Sequence, residues 1–347
     1  MKTRAANMTS SGIARLEAHR FRRRVLGRDT IFVKEGMNMK IGIIGAGLSG
    51  IVAARELARH GHTVELIEKS RSVGGRLATR RIGDGKADHG AVYFTVRGEA
   101  LKQDVADWQM KGWVNVWYAD PHPRYVAEDG MNALAKRLAQ GLTVHLNERA
   151  EAVTMMNEAV IVRTDVTTRP YDRLLITSPL PQTFDLLADF PIDTTLHGLT
   201  YAPTFVGLFE FGNEVTIGPD GILDTGLASG LLKVINNRQK GVSATELVSV
   251  YMDESWSEEW YDRPEDETLQ EIERLLQTVT ASVIQSSQLK RWRYAQATDV
   301  WNEPYYRLRD EPIFLAGDVF LEPDDASGRT RFESAYVSGL RVAEAMR

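Results

Sequence analysis

The stretch Lys40-Ile41-Gly42-Ile43-Ile44-Gly45-Ala46-Gly47-Leu48-Ser49-Gly50 decides the fold. Its first five residues are a short apolar run of the kind that forms a buried parallel strand. The run enters G-x-G-x-x-G, and Ile51 to His60 follows with the apolar spacing of an amphipathic helix, Leu57 lying one turn beyond Ala53 and Ala54. Gly61 closes that helix, as a residue able to take positive φ should. Thr63 to Ile67 reads as the next strand and ends in Glu68, 23 residues beyond Gly45. Each part has a physical role: Gly45 permits the tight turn, Gly47 lets a pyrophosphate approach the backbone, and Gly50 lets helix and strand pack closely. The helix start at Leu48 and Ser49 offers unpaired N–H groups to phosphates, and Glu68 would accept hydrogen bonds from ribose hydroxyls. This constellation reads as a site for an ADP moiety; it does not distinguish NAD from FAD.

The rest of the chain bounds what surrounds that motif. At 347 residues it has length for about two units of roughly 150 residues. With 43% hydrophobic and 26% charged residues it falls in the soluble globular range. The absence of cysteine excludes a disulfide framework, thiolate metal sites and a cysteine nucleophile, and it fits a reducing, cytoplasmic setting. No apolar run approaches the length of a membrane span. The net charge of −5 conceals an asymmetry, with +6 in residues 1–38 and −11 in the remainder. A body that acidic is a poor nucleic-acid binder, since phosphate neutralisation needs clustered Lys and Arg. For the basic tail three readings compete: an organelle-targeting presequence, a nucleic-acid or membrane arm, or a stretch upstream of a true start at Met37 or Met39. The last is the expectation adopted.

A second set of motifs resolves the nucleotide. After Glu68 come Lys69-Ser70-Arg71-Ser72-Val73-Gly74-Gly75-Arg76 and then Ala87-Asp88-His89-Gly90-Ala91. Near the carboxy terminus Ile313-Phe314-Leu315-Ala316-Gly317-Asp318 is an apolar strand ending in Gly-Asp, and a helix reads from about Arg331 through Ala343. This set resembles the flavin amine oxidase superfamily. The resemblance implies FAD, with Lys69, Gly75 and Arg76 in the loop that wraps its pyrophosphate. It further implies that Gly317 and Asp318 meet the ribityl chain, with Ser334 and Ala335 in the helix that follows. Asp172 to Pro179 resembles the strand and turn beneath the cofactor, and Val153 the position where a backbone amide meets the adenine. The implied fold class is α/β: a Rossmann-type, GR2-like FAD-binding domain interleaved with an α+β substrate domain carrying a mostly antiparallel sheet.

Further segments resemble renalase-like flavoproteins from about residue 40 to 347: Asp88 to Thr95, Tyr201 with Gly207-Leu208-Phe209, Ile235 to Lys240 with Asn236 where Asp is usual, and Arg291 to Thr298. That likeness implies oxidation of dihydropyridines, the 2- or 6-dihydro isomers of NAD(P)H, to NAD(P)⁺. Hydride would pass to flavin N5 and O₂ would be reduced to H₂O₂. A dihydropyridine becomes an aromatic cation on losing hydride, so no side-chain base is needed. None of the seven histidines stands in a metal-ligand or nucleophile pair by spacing, and no metal is expected. Tyr93, Tyr201, Asn236, Trp292 and Tyr294 are the pocket candidates, with His89 the one histidine inside a cofactor motif. Trp256 and Trp260 read instead as a packing stripe on an acidic helix.

The expected FAD domain comprises residues 39–93, 142–180 and 310–347, and the substrate domain 94–141 and 181–309. Within the latter, Phe205–Phe211 and Glu246–Met252 read as strands, and Met131–Leu138 and Glu265–Ile284 as helices. Two other functions compete: a flavin oxidase of amines or amino acids, for which Lys233 or Lys290 would stand near the flavin, and an FAD-binding scaffold or sensor without turnover. The expected partners are a small-molecule substrate and O₂, with no nucleic acid and no membrane. The oligomeric state is left open.

Overall fold

Ile41 and Ile43 are fully buried, and the strand that carries them, Lys40–Ile44, lies inside a six-stranded sheet. Thr63–Glu68 pairs parallel on one side of it, followed by Thr143–Leu146; Arg173–Ile176 and then Ile313–Leu315 pair parallel on the other. Tyr306–Arg307 closes that edge in antiparallel sense. A sheet covered on both faces needs apolar residues on both, which is why these strands are near-continuous apolar runs. The computed structural model describes residues 38–347, together with two short strands, Val25–Leu26 and Asp29–Thr30; the calls made on the basic tail as a whole lie outside the described residues.

The helix Leu48–Arg59 starts three residues earlier than the periodicity predicts, because Gly47 is its N-cap in extended geometry. The last helix, Phe332–Ala345, packs against it at Gly339, where an added Cβ would lie 2.6 Å from the Ser49 carbonyl oxygen. Two helices of the 94–141 insert, Glu99–Met110 and Met131–Leu138, join the same core. The expectation grouped them with the substrate domain. Their apolar stripes, Leu101, Val105 and Trp108 on one and Met131, Leu134 and Leu138 on the other, are buried beside Leu48–Arg59.

Ala150–Met156, Ala159–Thr164 and Thr168–Tyr171 form a three-stranded antiparallel sheet. A five-stranded antiparallel sheet carries Ile222–Leu223, Leu231–Asn236, Glu246–Met252, Tyr201–Phe211 and, at the edge, Ile284–Ala297. Strand alternation sorts its two faces. Phe205, Phe209 and Phe211 pack toward the helix Glu265–Leu276, with Trp256 and Trp260 stacked 5.0 Å apart at the border of that cluster. Val206 and Leu208 face the opposite way, toward the hairpin Thr79–Ile82/Gly85–Asp88.

Two further boundaries differ from expectation. The strand predicted over 205–211 begins at Tyr201. The helix predicted over 265–284 ends at Leu276, where the Thr278 hydroxyl donates to the Leu275 carbonyl (2.7 Å) and the Val279 N–H to that of Leu276 (2.8 Å). A β-branched run of Thr278, Val279 and Thr280 disfavours further helix.

Candidate flavin site

The glycine loop takes three different conformational tasks. Gly45 has φ +102°, a region costly for residues with a Cβ, and its N–H donates to the Ile67 carbonyl at 2.9 Å. An added Cβ at Gly50 would lie 2.2 Å from the Gly45 carbonyl oxygen, whereas one at Gly47 would meet nothing within 4 Å. The helix that begins at Leu48 has no side-chain cap, so its first amides are left for another partner. The buried Ser49 hydroxyl also has no hydrogen-bond partner.

Glu68, 7% exposed, accepts from the Ala46 N–H at 3.0 Å and the Ser70 N–H at 2.8 Å. A carboxylate has about four acceptor directions, which leaves two for a ribose diol. Gly74 returns its N–H to the Ala46 carbonyl (2.7 Å), bringing Gly75 (φ +53°) against Gly47. Lys69 donates to Gln182 at 3.1 Å, and burial with Arg149 nearby lowers its pKa. Val153 lies on the outer strand of the three-stranded sheet, its side chain in the core. An open loop, an uncapped helix, an orphan hydroxyl and a half-used carboxylate suit the ADP half of a dinucleotide.

Arg76 crosses from this loop to the carboxy-terminal segment. Its guanidinium grips both carboxylate oxygens of Asp318, one at 2.8 Å, and donates to the Ala295 carbonyl at 3.2 Å. Burial opposes the charge of Arg76, yet Asp318 raises its pKa. Gly317, next to Asp318, has φ +151°, space where a Cβ would be, and an N–H to Ser338 Oγ at 3.0 Å. Tyr201 stands within electrostatic reach of both charges. Burial and Asp318 push its phenol up to about 12, and its ring meets Tyr294 edge-on at 5.7 Å. Ser334 spends its hydroxyl on Arg331, accepting from the N–H at 2.8 Å and donating to the carbonyl at 2.7 Å. The Ala335 N–H also goes to the Arg331 carbonyl, at 3.2 Å, so neither that amide nor the Ser334 hydroxyl is free. The acidic turn is neutralised locally, Asp325 pairing with Arg331 at 2.7 Å.

His89 and Trp292 meet across the gap between the hairpin and the antiparallel sheet. Their rings stack at 5.5 Å, and the indole N–H donates to the His89 carbonyl at 2.6 Å. Burial, with Lys290 and Arg80 nearby, pushes the imidazole down to about 4; its buried Nδ1 has no partner. Tyr93 packs in the same cluster, with Trp117 at 6.3 Å and the Lys233 ammonium 5.9 Å above its ring. Asn236 does not serve as a pocket group. It is fully buried, its amide donates to the Val215 carbonyl and to Glu246 (2.9 Å), and its oxygen accepts from the N–H groups of Arg238 (2.8 Å) and Gln239 (3.1 Å). All four hydrogen-bonding positions are used, so it builds the turn and nothing more.

Three side chains had no part in the sequence-derived site. Asp88 and Lys240 form a fully buried ion pair at 2.6 Å directly beneath His89. Arg80, on the hairpin, faces Lys290 across Gln288. The signal for the second group was present in the alternation of Gln288, Lys290 and Trp292, which puts them on one strand face. Among the described residues, no group of three or more His, Asp or Glu is arranged to hold a metal ion, and no helix is long and apolar enough to cross a membrane.

A Rossmann-type cradle linked through an Arg–Asp pair to a second glycine turn defines a dinucleotide-dependent oxidoreductase fold. The chain belongs to the flavin containing amine oxidoreductase family, whose model matches residues 107–347, with an NAD(P)-binding Rossmann-like domain matching 43–108. FAD is its cofactor. The flavin-dependent L-tryptophan oxidase RebO of Lentzea aerocolonigenes is 48% identical over 59 residues, which is 17% of this chain and 12% of that protein. Among solved structures, a candidate protoporphyrinogen oxidase from Exiguobacterium sp. 255-15 superposes with a TM-score of 0.67 at 13% identity, covering 88% of this chain and 98% of that one. A fatty acid isomerase from P. acnes does so with a TM-score of 0.64 at 13% identity, over 88% and 98%. At such identities the likeness is one of fold, and an oxidase and an isomerase on one fold leave the substrate to be argued from the site.

Proposed function

We propose that the protein oxidises dihydropyridines, the 2- or 6-dihydro isomers of NAD(P)H, to NAD(P)⁺. FAD held at this site would supply the redox chemistry, acting as hydride acceptor and as electron donor to O₂, which would give H₂O₂. The observation that carries this reading is that, among the described residues, neither His89 of the stack nor Tyr201 is poised as a base near neutral pH. Tyr201 is held protonated far above neutral pH, and His89 is held neutral with its proton affinity depressed. General acid–base work needs a group whose pKa lies near the working pH. A substrate that gains aromaticity on losing hydride needs none.

What this chain then supplies is position. The Arg76–Asp318 pair and the Gly317 turn would hold the ribityl chain, and Glu68 with the glycine loop the adenosine diphosphate. Tyr201, Tyr294, Trp292 and His89 present flat apolar surfaces that exclude water from the reacting carbon. Holding donor and acceptor in contact geometry is worth about 7–11 kcal/mol in favourable cases.

A second reading, oxidation of an amine or amino acid, is favoured by the family's description and by the RebO likeness. Anaerobic mixing separates the two. The FAD-loaded protein is mixed with a borohydride-generated set of NADH isomers, and flavin absorbance is followed. Rapid bleaching by the isomers, with little from ordinary NADH and none from amines, is the expected result. Bleaching by an amine or amino acid while the isomers leave the flavin oxidised overturns it.

A further inference from the structure

Arg80 and Lys290 occupy an unusual position for two cations. The Arg80 Nε and the Lys290 Nζ each lie 3.2 Å from the same acceptor, the side-chain oxygen of Gln288. Both are half-buried, and neither forms an ion pair among the described residues, whereas half-buried Arg76 and Arg169 do. Like charges gathered on one neutral oxygen repel, and a protein interior weakens that repulsion far less than water does. The arrangement is costly unless an anion joins it.

The surroundings say where that anion would lie. Lys290 pairs in register with Val206, and Gln288 with Leu208, so both side chains stand on the sheet face that meets the hairpin. Trp292 continues the same row, about 7 Å further along the strand. Its ring stacks on His89, whose buried Nδ1 is without a partner. Beyond it, Arg76 reaches the Ala295 carbonyl on the same strand. Along one strand thus lie the aromatic stack in the middle, the Arg76–Asp318 pair on one side and, on the other, Lys290 with Arg80 facing it from the hairpin. Glu265 is the acid closest in effect to Lys290, while Arg71 adds to the positive field.

We propose that Arg80 and Lys290, bridged by Gln288, form a subsite for the phosphate of the substrate, holding a nucleotide's phosphate while its reduced pyridine ring lies at the His89–Trp292 stack. This rests on the dihydropyridine reading. The ribose between ring and phosphate spans about the distance between Trp292 and Lys290 along the strand. Arg offers a planar fork and Lys a point charge, a complementary pair for a tetrahedral anion. The same field disfavours a substrate that carries an ammonium group.

The test compares two substrates that differ by one phosphate: the 2- or 6-dihydro isomer of nicotinamide mononucleotide and the corresponding nicotinamide riboside, with the FAD-loaded full-length protein. KM for the mononucleotide should be at least tenfold lower than for the riboside, as a charge-assisted hydrogen bond provides. Arg80→Gln and Lys290→Gln should each remove most of that difference by raising KM for the mononucleotide. KM for the riboside should change far less than KM for the mononucleotide. Equal KM values in the wild type, or a difference that survives both substitutions, overturn the subsite. If neither compound bleaches the flavin, the substrate reading fails and the subsite is judged by inorganic pyrophosphate instead. A tryptophan-fluorescence change on titration that disappears in Lys290→Gln sustains it, and no change in the wild type overturns it.

Discussion

Gly47 and Gly50 are three residues apart in one loop, yet alanine at each should act on different states of the protein. At Gly50 a Cβ would lie 2.2 Å from the Gly45 carbonyl oxygen and 3.3 Å from Ile43 Cγ2. A backbone oxygen cannot rotate aside, so strand and helix must separate. Overpacking of this kind costs about 1–3 kcal/mol, present with or without cofactor. At Gly47 the backbone has φ −76° and ψ −179°, open to any residue, and the Cβ meets nothing. Losing glycine there restricts the unfolded chain and stabilises by about 0.4–1 kcal/mol. Alanine is a poorer N-cap than glycine by a similar amount, so the apoprotein should keep its stability within about 0.5 kcal/mol. The methyl group then stands where the pyrophosphate must approach. An overpacking cost of about 1–3 kcal/mol transferred to the complex weakens FAD binding by about 5- to 150-fold. Urea unfolding of the two apoproteins, alongside FAD titration followed by flavin fluorescence, separates the effects. If Gly47→Ala binds FAD as the wild type does, the loop does not cradle the pyrophosphate. If it destabilises the apoprotein as much as Gly50→Ala, the open space at that position is wrong.

Lys240→Met should cost about 3–5 kcal/mol in urea unfolding, since it leaves the buried Asp88 carboxylate uncompensated; adding Asp88→Asn should recover part of the loss, and a single-variant cost under about 1 kcal/mol contradicts the pair's burial. Because the His89 pKa falls from 6.5 to about 4 on folding, the unfolded chain binds more protons between those values and stability drops as pH falls through that window. His89→Gln should flatten this slope by about 1–3 kcal/mol in total, measured as unfolding free energy from pH 7 to 4, and an unchanged slope removes His89 as its source. Arg76→Lys keeps the charge but loses the forked grip on Asp318, so FAD affinity should fall about tenfold while a charge-dependent elution profile stays the same; undiminished FAD affinity would mean that the fork does not shape the cofactor seat.

The dinucleotide half was legible because its constraints are local. The turn at Gly45, the helix after Gly47 and the acid at Glu68 all lie within one strand–helix–strand unit, where each residue's spacing fixes its neighbour. Strands such as Glu246–Met252 and helices such as Met131–Leu138 were readable to the residue because their apolar period is uninterrupted. The boundary at Leu276 was missed because Val279 continues the apolar spacing and still packs in the core, although the hydroxyl of Thr278 has already ended the helix. Site residues were hardest where contact is made between distant segments. Asn236 reads as a pocket amide only through the resemblance of the Ile235–Lys240 loop; its four hydrogen bonds to Val215, Glu246, Arg238 and Gln239 reveal a turn. Alternation puts Gln288 and Lys290 on one strand face, but Arg80 is 210 residues from Lys290, and no local pattern brings it to the same oxygen.

Asp88 explains why the aromatic stack can be held firmly with so few polar groups of its own. Its carboxylate takes the hydroxyl of Thr79, its partner across the hairpin, at 2.5 Å, and the N–H of Met131, whose helix packs in the dinucleotide core, at 3.0 Å. The other carboxylate oxygen takes Lys240, from the turn between Leu231–Asn236 and Glu246–Met252, and the Asp88 carbonyl takes the hydroxyls of Ser249 (2.7 Å) and Tyr251 (3.0 Å) of the second of those strands. Its N–H goes to the Asn237 side chain at 3.1 Å. One buried residue is therefore bonded to both halves of the fold, and His89 is the next residue in the chain. Moving the sheet against the dinucleotide core would break several buried hydrogen bonds at once, each of which costs about 1–3 kcal/mol when a partner is left unpaired. The stack of His89 on Trp292 is consequently fixed before any ligand arrives. A site that works by position, with no base to tune, needs that rigidity more than it needs a lid.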